Sequence, residues 1–398
     1  MAEASGNPQR KVRSFLRAVA LAGVLALSAC VAPRQGPPAQ PPVGPPPSRP
    51  IPRPVQSGIP EDTARHRVAL LVPLTGTNGG VGRSLANATQ LAIMDSKVET
   101  IRITSYDTAL GAAAAAQRAI ADGNRLILGP LLSEDVRAVA PVAKRAGVPV
   151  LSFSNDASAA GNGAYLMGFA PAESIERVVD YAKRTGITQF AGLVPTGLYG
   201  QRASTAFLRA VESAGGSVVS LQTYDRSPGA IPAAIGRLGR SPFQAVLVAD
   251  SSGTAATVIP ILRRGPGATA RVLGTELWNS DSAIGSNPVL NGAWFASVSN
   301  TYYRQYATKY RARFGAAPYR LSTLGYDAVL LTVRIGRDWR VGTPFPEARL
   351  TASDGFSGLD GAFRFGRDGI AERSLEVQEV RAGSTVTVSP APTGFGGR

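Results

Sequence analysis

Downstream of residue 65, apolar positions follow two alternating patterns. Residues 66–74, 100–106, 125–129 and 148–153 predict strands, the first a buried one with its apolar residues in succession. Between them, residues 82–95, 111–122 and 134–145 carry apolar side chains on one side only, as amphipathic helices do; Leu85, Ala88, Ala92 and Ile93 mark the first of these. Gly123 and Gly147 stand where such helices end. After Pro171 the pattern repeats, with helices expected at 173–185, 201–214, 231–238 and 254–264 and strands at 189–194, 217–224, 243–249 and 270–275. Short strands alternating with helices signal parallel sheets built from right-handed crossovers. The expectation is an α/β fold of two Rossmann-like lobes. Residues 301–314 and 321–339 predict two further helices, and 389–398 a flexible tail.

The N-terminus follows a different rule. Arg10, Lys11, Arg13 and Arg17 precede an apolar run over residues 18–27, which ends in Ser28, Ala29 and Cys30. A basic region, an apolar core and small residues at a cleavage point make a secretory signal. The run is short of the roughly 20 apolar residues that a permanent span needs. Leu27-Ser28-Ala29-Cys30 resembles the bacterial lipobox, which implies cleavage before Cys30 and lipid attachment there. Several acyl chains, each contributing about 0.8 kcal/mol per buried CH₂, anchor a protein firmly. Residues 31–60 are proline-rich, lack acidic side chains and show no apolar periodicity, so they predict an extended tether.

Composition narrows the chemistry. The 398 residues carry a formal net charge of +15, one cysteine and one histidine. The basic side chains are scattered singly, with no zinc-finger spacing or aromatic-basic run, so nucleic acid is not expected as a partner. A single cysteine excludes an internal disulfide. With His66 alone at the edge of the first strand, neither a Ser-His-Asp triad nor a multi-histidine metal site can be assembled. No cofactor or metal is implied.

In open parallel sheets ligands bind beyond the carboxyl ends of the strands. The loop containing Gly79, Gly80 and Gly82 is not a P-loop, because Thr77 and Arg83 occupy the glycine and lysine positions, nor a GxGxxG turn, because Leu85 ends it. It predicts a flexible glycine turn before a helix.

Several motifs together resemble a known group. They are Val72-Pro73-Leu74-Thr75-Gly76, Leu128-Gly129-Pro130-Leu131 and the run Pro149 to Asp156, followed by Leu198-Tyr199-Gly200, Gly274 to Trp278, Gly325-Tyr326-Asp327-Ala328 and Phe356 to Gly369. Their order over Arg67 to Gly383 resembles type I periplasmic binding proteins of the leucine/isoleucine/valine-binding class, and within it the proteobacterial penicillin-binding protein activator lipoproteins. The resemblance implies two lobes with an interlobe cleft, divided discontinuously over 66–388: a first lobe of about 66–171 and 299–350, a second of about 172–298 and 351–388.

Position by position, it implies that Ser133, Ser152, Ser154 and Asn155 hold a ligand carboxylate, that Tyr199 walls the cleft, and that Glu276, beside Trp278, meets an ammonium. Each also has a plain alternative: the serines cap helices, Tyr199 is core, Glu276 is solvated. Three functional readings follow. An activator lipoprotein would use the fold to engage a peptidoglycan synthase, a penicillin-binding protein; this is the preferred reading, on the strength of the tether and the altered Ser-Phe-Ser-Asn-Asp loop. A solute-binding receptor would deliver amino acids or related polar metabolites to an ABC permease. A hydrolase would need Asp107, Asp156, Asp250 and Glu276 to converge; the non-catalytic readings are preferred. The residue after Cys30, Val31, resembles outer-membrane sorting, so the expected location is the periplasmic face of the envelope.

Overall fold

The computed structural model describes residues 64–392 except 240, 241 and 266, together with Phe395. The signal, Cys30 and the tether lie outside the described residues. No helix among the described residues is long and apolar enough to cross a membrane.

In chain order, the first run is β1 (His66–Val72), α1 (Gly79–Ser96), β2 (Ile101–Asp107), α2 (Ala112–Ala121), β3 (Leu126–Leu128), α3 (Ser133–Arg145), β4 (Val150–Ser152) and β5 (Ala164–Leu166). Its five strands form a parallel sheet in the order β2-β1-β3-β4-β5. Val68 to Val72 are fully buried because helices cover both faces. The alanines of α2 and the valines Val136 and Val139 of α3 pack on one face.

The second run is α4 (Pro171–Arg184), β6 (Gln189–Pro195), α5 (Leu198–Ser213), β7 (Ser217–Tyr224), α6 (Ala230–Leu238), β8 (Ala245–Val248), α7 (Ser252–Arg263), β9 (Arg271–Gly274) and β10 (Trp294–Ser297). Then come α8 (Tyr303–Phe314), α9 (Ser322–Gly336), β11 (Phe356–Gly358), β12 (Gly361–Phe365), β13 (Ala371–Arg373), β14 (Glu376–Arg381) and β15 (Ser384–Ser389). The second sheet runs β15-β14-β10-β9-β8-β6-β7, parallel except for its last two strands. The fold is therefore the expected α/β arrangement of two lobes with mainly parallel sheets.

Two details differ from the sequence reading. Gly79 to Gly82 are not a flexible turn but the first turn of α1. Gly82 is required there because a Cβ would lie 1.7 Å from the Pro73 carbonyl oxygen. The second lobe repeats the device: a Cβ on Gly200 would lie 1.6 Å from the Pro195 oxygen. In each lobe a proline at the strand's end, Pro195 in β6 and Pro73 just after β1, meets the following helix backbone to backbone.

The other difference is the C-terminal boundary. Residues 351–388 do not all join the second lobe. Phe356, Phe363 and Phe365 of the small antiparallel sheet β11-β12-β13 pack into the first-lobe core with α9 and β1. Only β14 and β15 enter the second sheet, where β14 pairs antiparallel with β10. The reason is hydrophobic burial: these rings find their apolar partners across α9. The chain thus passes between lobes three times, at residues 167–170, 298–302 and 374–375.

Candidate functional site

A cavity of about 410 Å³ opens between the lobes where the three crossings lie. That volume lies within the range of about 300–1,000 Å³ usual for small-molecule sites. Phe169 and Ala170, Val298, and Leu375 bring one crossing each to its wall. The first lobe adds Val81, Leu131, Phe153 and Asn155, and the second adds Glu173, Ser174, Glu276, Leu277 and Asn279. Arg320, just before α9, and Arg373, at the end of β13, complete it.

Glu276 follows β9 in a short 3-10 turn. Its Oε2 accepts the Ser174 hydroxyl at 2.5 Å, and its Oε1 accepts the Tyr199 hydroxyl at 3.2 Å. Tyr199 shares a second hydrogen bond with Thr275 at 2.9 Å. Burial pushes the Glu276 carboxyl above the usual carboxylate range, only partly offset by these hydroxyl donors. Glu173 sits in the first turn of α4 and accepts the Arg373 backbone N–H at 2.7 Å. Burial pushes it up to about 8, with that hydrogen bond and the Arg373 charge pulling the other way.

The two arginines are held from outside the cavity. Arg373 Nη2 donates to the Met167 carbonyl at 2.6 Å, and its guanidinium lies over Phe169 and Phe363, 4.9 and 5.1 Å from the ring centroids. Arg320 pairs with Asp360 at 2.8 Å and lies 4.4 Å over Tyr303. Beneath them Asp327 accepts the Leu359 and Asp360 N–H groups; burial, and then the Asp360 charge, push it up to about 7.

The residues proposed from sequence separate into two groups. Glu276 and Asn155 line the cavity. Tyr199 stands behind Glu276 and packs on the second-lobe core. Ser152 and Ser154 are buried, and their hydroxyls serve backbone groups of their own loop and of the loop after β3. Ser152 Oγ donates to Pro130 O at 2.9 Å and accepts Ser154 N, while Ser154 Oγ accepts Asp156 N at 3.2 Å. Ser133 opens α3 and lies against Glu134 and Arg137, outside the cavity wall. Trp278 does not reach the cleft either. It is fully buried, its Nε1 donates to Asp250 O at 2.9 Å, and it presses on Gly274, where a Cβ would lie 2.4 Å from the indole.

The four carboxylates named for a hydrolase do not converge. Asp107 serves Leu74 N and Thr75, and Asp250 serves Tyr224 and Arg226. Asp156 is bridged by arginines, which leaves Glu276 alone on the wall. His66 is buried against Trp339, the rings stacked at 3.9 Å.

Glu173, Arg320 and Arg373 were not picked out from sequence. A glutamate in the first turn of a helix reads as an ordinary dipole partner, and nothing local marks an arginine as buried.

A family model described as periplasmic binding protein matches residues 66–385. The chain belongs to the periplasmic binding protein family. Solved structures agree on the type I fold. A putative branched-chain amino acid ABC transporter protein from Rhodospirillum rubrum superposes with a TM-score of 0.73 at 22% identity, covering 81% of this chain and 100% of its own. A leucine-binding protein from Thermotoga maritima gives 0.61 at 20% identity, covering 82% and 98%. The Streptococcus pneumoniae branched-chain amino acid transporter substrate-binding protein, solved with isoleucine, gives 0.60 at 17% identity, covering 82% and 100%. An uncharacterised protein of Rickettsia prowazekii is 25% identical over 194 residues. That match covers 48% of this periplasmic binding protein and 51% of the relative, about half of each.

Proposed function

We propose that this protein is a solute-binding receptor that delivers an amino acid or related polar metabolite to an ABC permease, and that Cys30 anchors it by lipid on the periplasmic side of the envelope. The observation that carries the reading is the interlobe cavity at three chain crossings, with Glu276 held by Ser174 and Tyr199 on its wall. Two lobes joined by hinges around a small cavity suit closure on a ligand. The isoleucine complex of the Streptococcus relative supports a small-molecule role of the same kind.

The activator reading ranks second. The altered Ser-Phe-Ser-Asn-Asp loop that favoured it turns both serine hydroxyls to backbone, a departure from a ligand-carboxylate cradle. It predicts capture of a penicillin-binding protein from solubilised envelopes.

The receptor reading is tested by calorimetry of the purified body against a broad metabolite panel, with small-angle scattering to follow closure. Binding with a fall in radius of gyration supports it. No binding across the panel, with a penicillin-binding protein captured instead, overturns it. Metabolic labelling with palmitate, lost in Cys30→Ala, tests the anchor.

A further inference from the structure

The charges around the cavity are unequal in a way that selects a ligand. Glu173 and Glu276 line it, and neither has an ion-pair partner among the described residues. Arg320 is neutralised by Asp360 and also donates to Thr323 at 2.9 Å. Arg373 is bound to the Met167 carbonyl and sandwiched by Phe169 and Phe363. The remaining N–H groups, Arg320 Nε and Arg373 Nε and Nη1, are themselves buried and without a hydrogen-bond partner, so neither guanidinium offers them to the cavity space.

Among side chains an anion finds little else; the backbone donors that remain are the first-turn N–H groups of α1, α3 and α4, whose N-caps Asn78, Leu132 and Ala170 line the wall without a capping side chain. Ser152 and Ser154 are committed to backbone groups and Ser133 is off the wall. On the opposite side Ser280 Oγ donates to Leu277 O at 2.6 Å, and Ser297 Oγ donates to Val298 O at 3.1 Å. Asn78, Asn155 and Asn279 remain as neutral amides, the last accepting from Asn300 at 2.6 Å. The rest of the wall is apolar, with Phe153, Phe169, Leu131, Leu277, Leu321 and Leu375. A desolvated carboxylate is costly; among the described residues Glu276 has no countercharge and Glu173 has only the nearby Arg373 charge, and an ammonium supplies what is missing. Aromatic faces favour the same sign.

The geometry points to an organic cation as the ligand: an amine whose ammonium is taken by the carboxyls of Glu276 and Glu173 and whose apolar body lies against Phe153 and Phe169. This rests on the receptor reading and narrows it, since a free α-amino acid would find no side-chain countercharge for its carboxylate, only backbone N–H groups and neutral amides. Glu173 is then the residue that sets selectivity. Because it also accepts the Arg373 N–H, it joins the ligand's charge to the third crossing between the lobes.

Three probes with one body and different charge decide the matter: phenethylamine, phenylalanine and 3-phenylpropionate, each titrated calorimetrically into the full chain, with 1,5-diaminopentane as a second amine. The amine is expected to bind at least about tenfold more tightly than phenylalanine, and 3-phenylpropionate most weakly. Glu276→Gln and Glu173→Gln should each weaken the amine by at least about tenfold with the thermal transition retained. Tighter binding of phenylalanine or 3-phenylpropionate overturns the cation assignment while leaving the receptor reading in place. So does amine binding indifferent to both substitutions, or failure of both amines when another class of solute binds. Failure of every probe and of the wider panel removes the receptor reading with it.

Discussion

Arg202, on α5 of the second lobe, bonds across the cleft to the carboxylate of Asp156 in the first lobe, which Arg137 holds from its own side at 2.7 Å. Asp156 is almost fully buried, and it adjoins Asn155 on the cavity wall. Burial works to raise this carboxyl, but the Ser158 hydrogen bonds and the two arginines prevail and hold it below the usual range. The pair is a clasp on the cleft. Arg202→Ala removes it without leaving Asp156 unpaired, because Arg137 remains. A charge-assisted hydrogen bond contributes about 1.5–3 kcal/mol, and Arg202 is a quarter exposed, which lowers the figure. We expect ligand affinity to fall by about tenfold, faster ligand dissociation, and a larger radius of gyration in solution scattering, with the thermal transition little changed.

The pH dependence follows from Glu173. Its pKa in the folded chain is raised from 4.5 to about 8 by burial, so between those values the folded state keeps a proton that the unfolded chain has lost. Stability contributed by this group is therefore present below 4.5 and falls as pH rises toward about 8. In melting experiments without ligand, the advantage of Glu173→Gln over the parent should be small near pH 4.5 and grow toward pH 8. An amine ligand needs the ionised form, so its affinity should rise over the same interval and its binding should release protons. Calorimetry in buffers of different ionisation enthalpy reads that release.

Asp360 is the countercharge of a buried arginine. Asp360→Asn leaves Arg320 without it in a site where both side chains are almost fully covered. Breaking a buried pair from one side costs about 3–5 kcal/mol. Part of this should be offset as the Asp327 carboxyl, raised secondarily by the Asp360 charge, relaxes toward its usual range. Urea denaturation should show a midpoint shift of that order.

Trp278 separates core from site. Trp278→Phe removes the N–H bonded to Asp250 O and is expected to cost about 1–3 kcal/mol by leaving a buried acceptor unpaired. Trp278→Ala should cost about 3–5 kcal/mol through the cavity it leaves. Chemical denaturation measures both. The folded Phe variant should keep the parent's preference among charged probes, because the indole does not touch the cavity.

Much of the first lobe was legible in advance because its signals are local. The run at β1 is apolar at consecutive positions and lies under helices on both faces; the helical spacing of Leu85, Ala88 and Ala92 buries all three. Where two backbones approach, local pattern misleads. Residues 79–81 read as a turn before the helix because glycine disfavours helices, yet the helix begins at Gly79, and Gly82 is tolerated in it since nothing larger fits against Pro73. The C-terminal strands were assigned together to the second lobe, but aromatic packing across α9 keeps β11 to β13 on the first.

The chain's own pattern determined two α/β lobes and their order of strands and helices; Glu276 came only from the family resemblance, with a solvated carboxylate as its alternative. The pattern could not decide which polar side chains are free. Ser154 and Glu276 both stand on loops after strands, but the hydroxyl of one closes its own loop while the carboxyl of the other meets a helix more than a hundred residues earlier. Glu173 belongs to the site only because Arg373, 200 residues on, returns beside it. Periodicity reports which face of an element is buried, since burial repeats with the element's own period. Whether a buried polar group is already satisfied depends on partners brought from elsewhere in the chain, and only the packed lobes supply them.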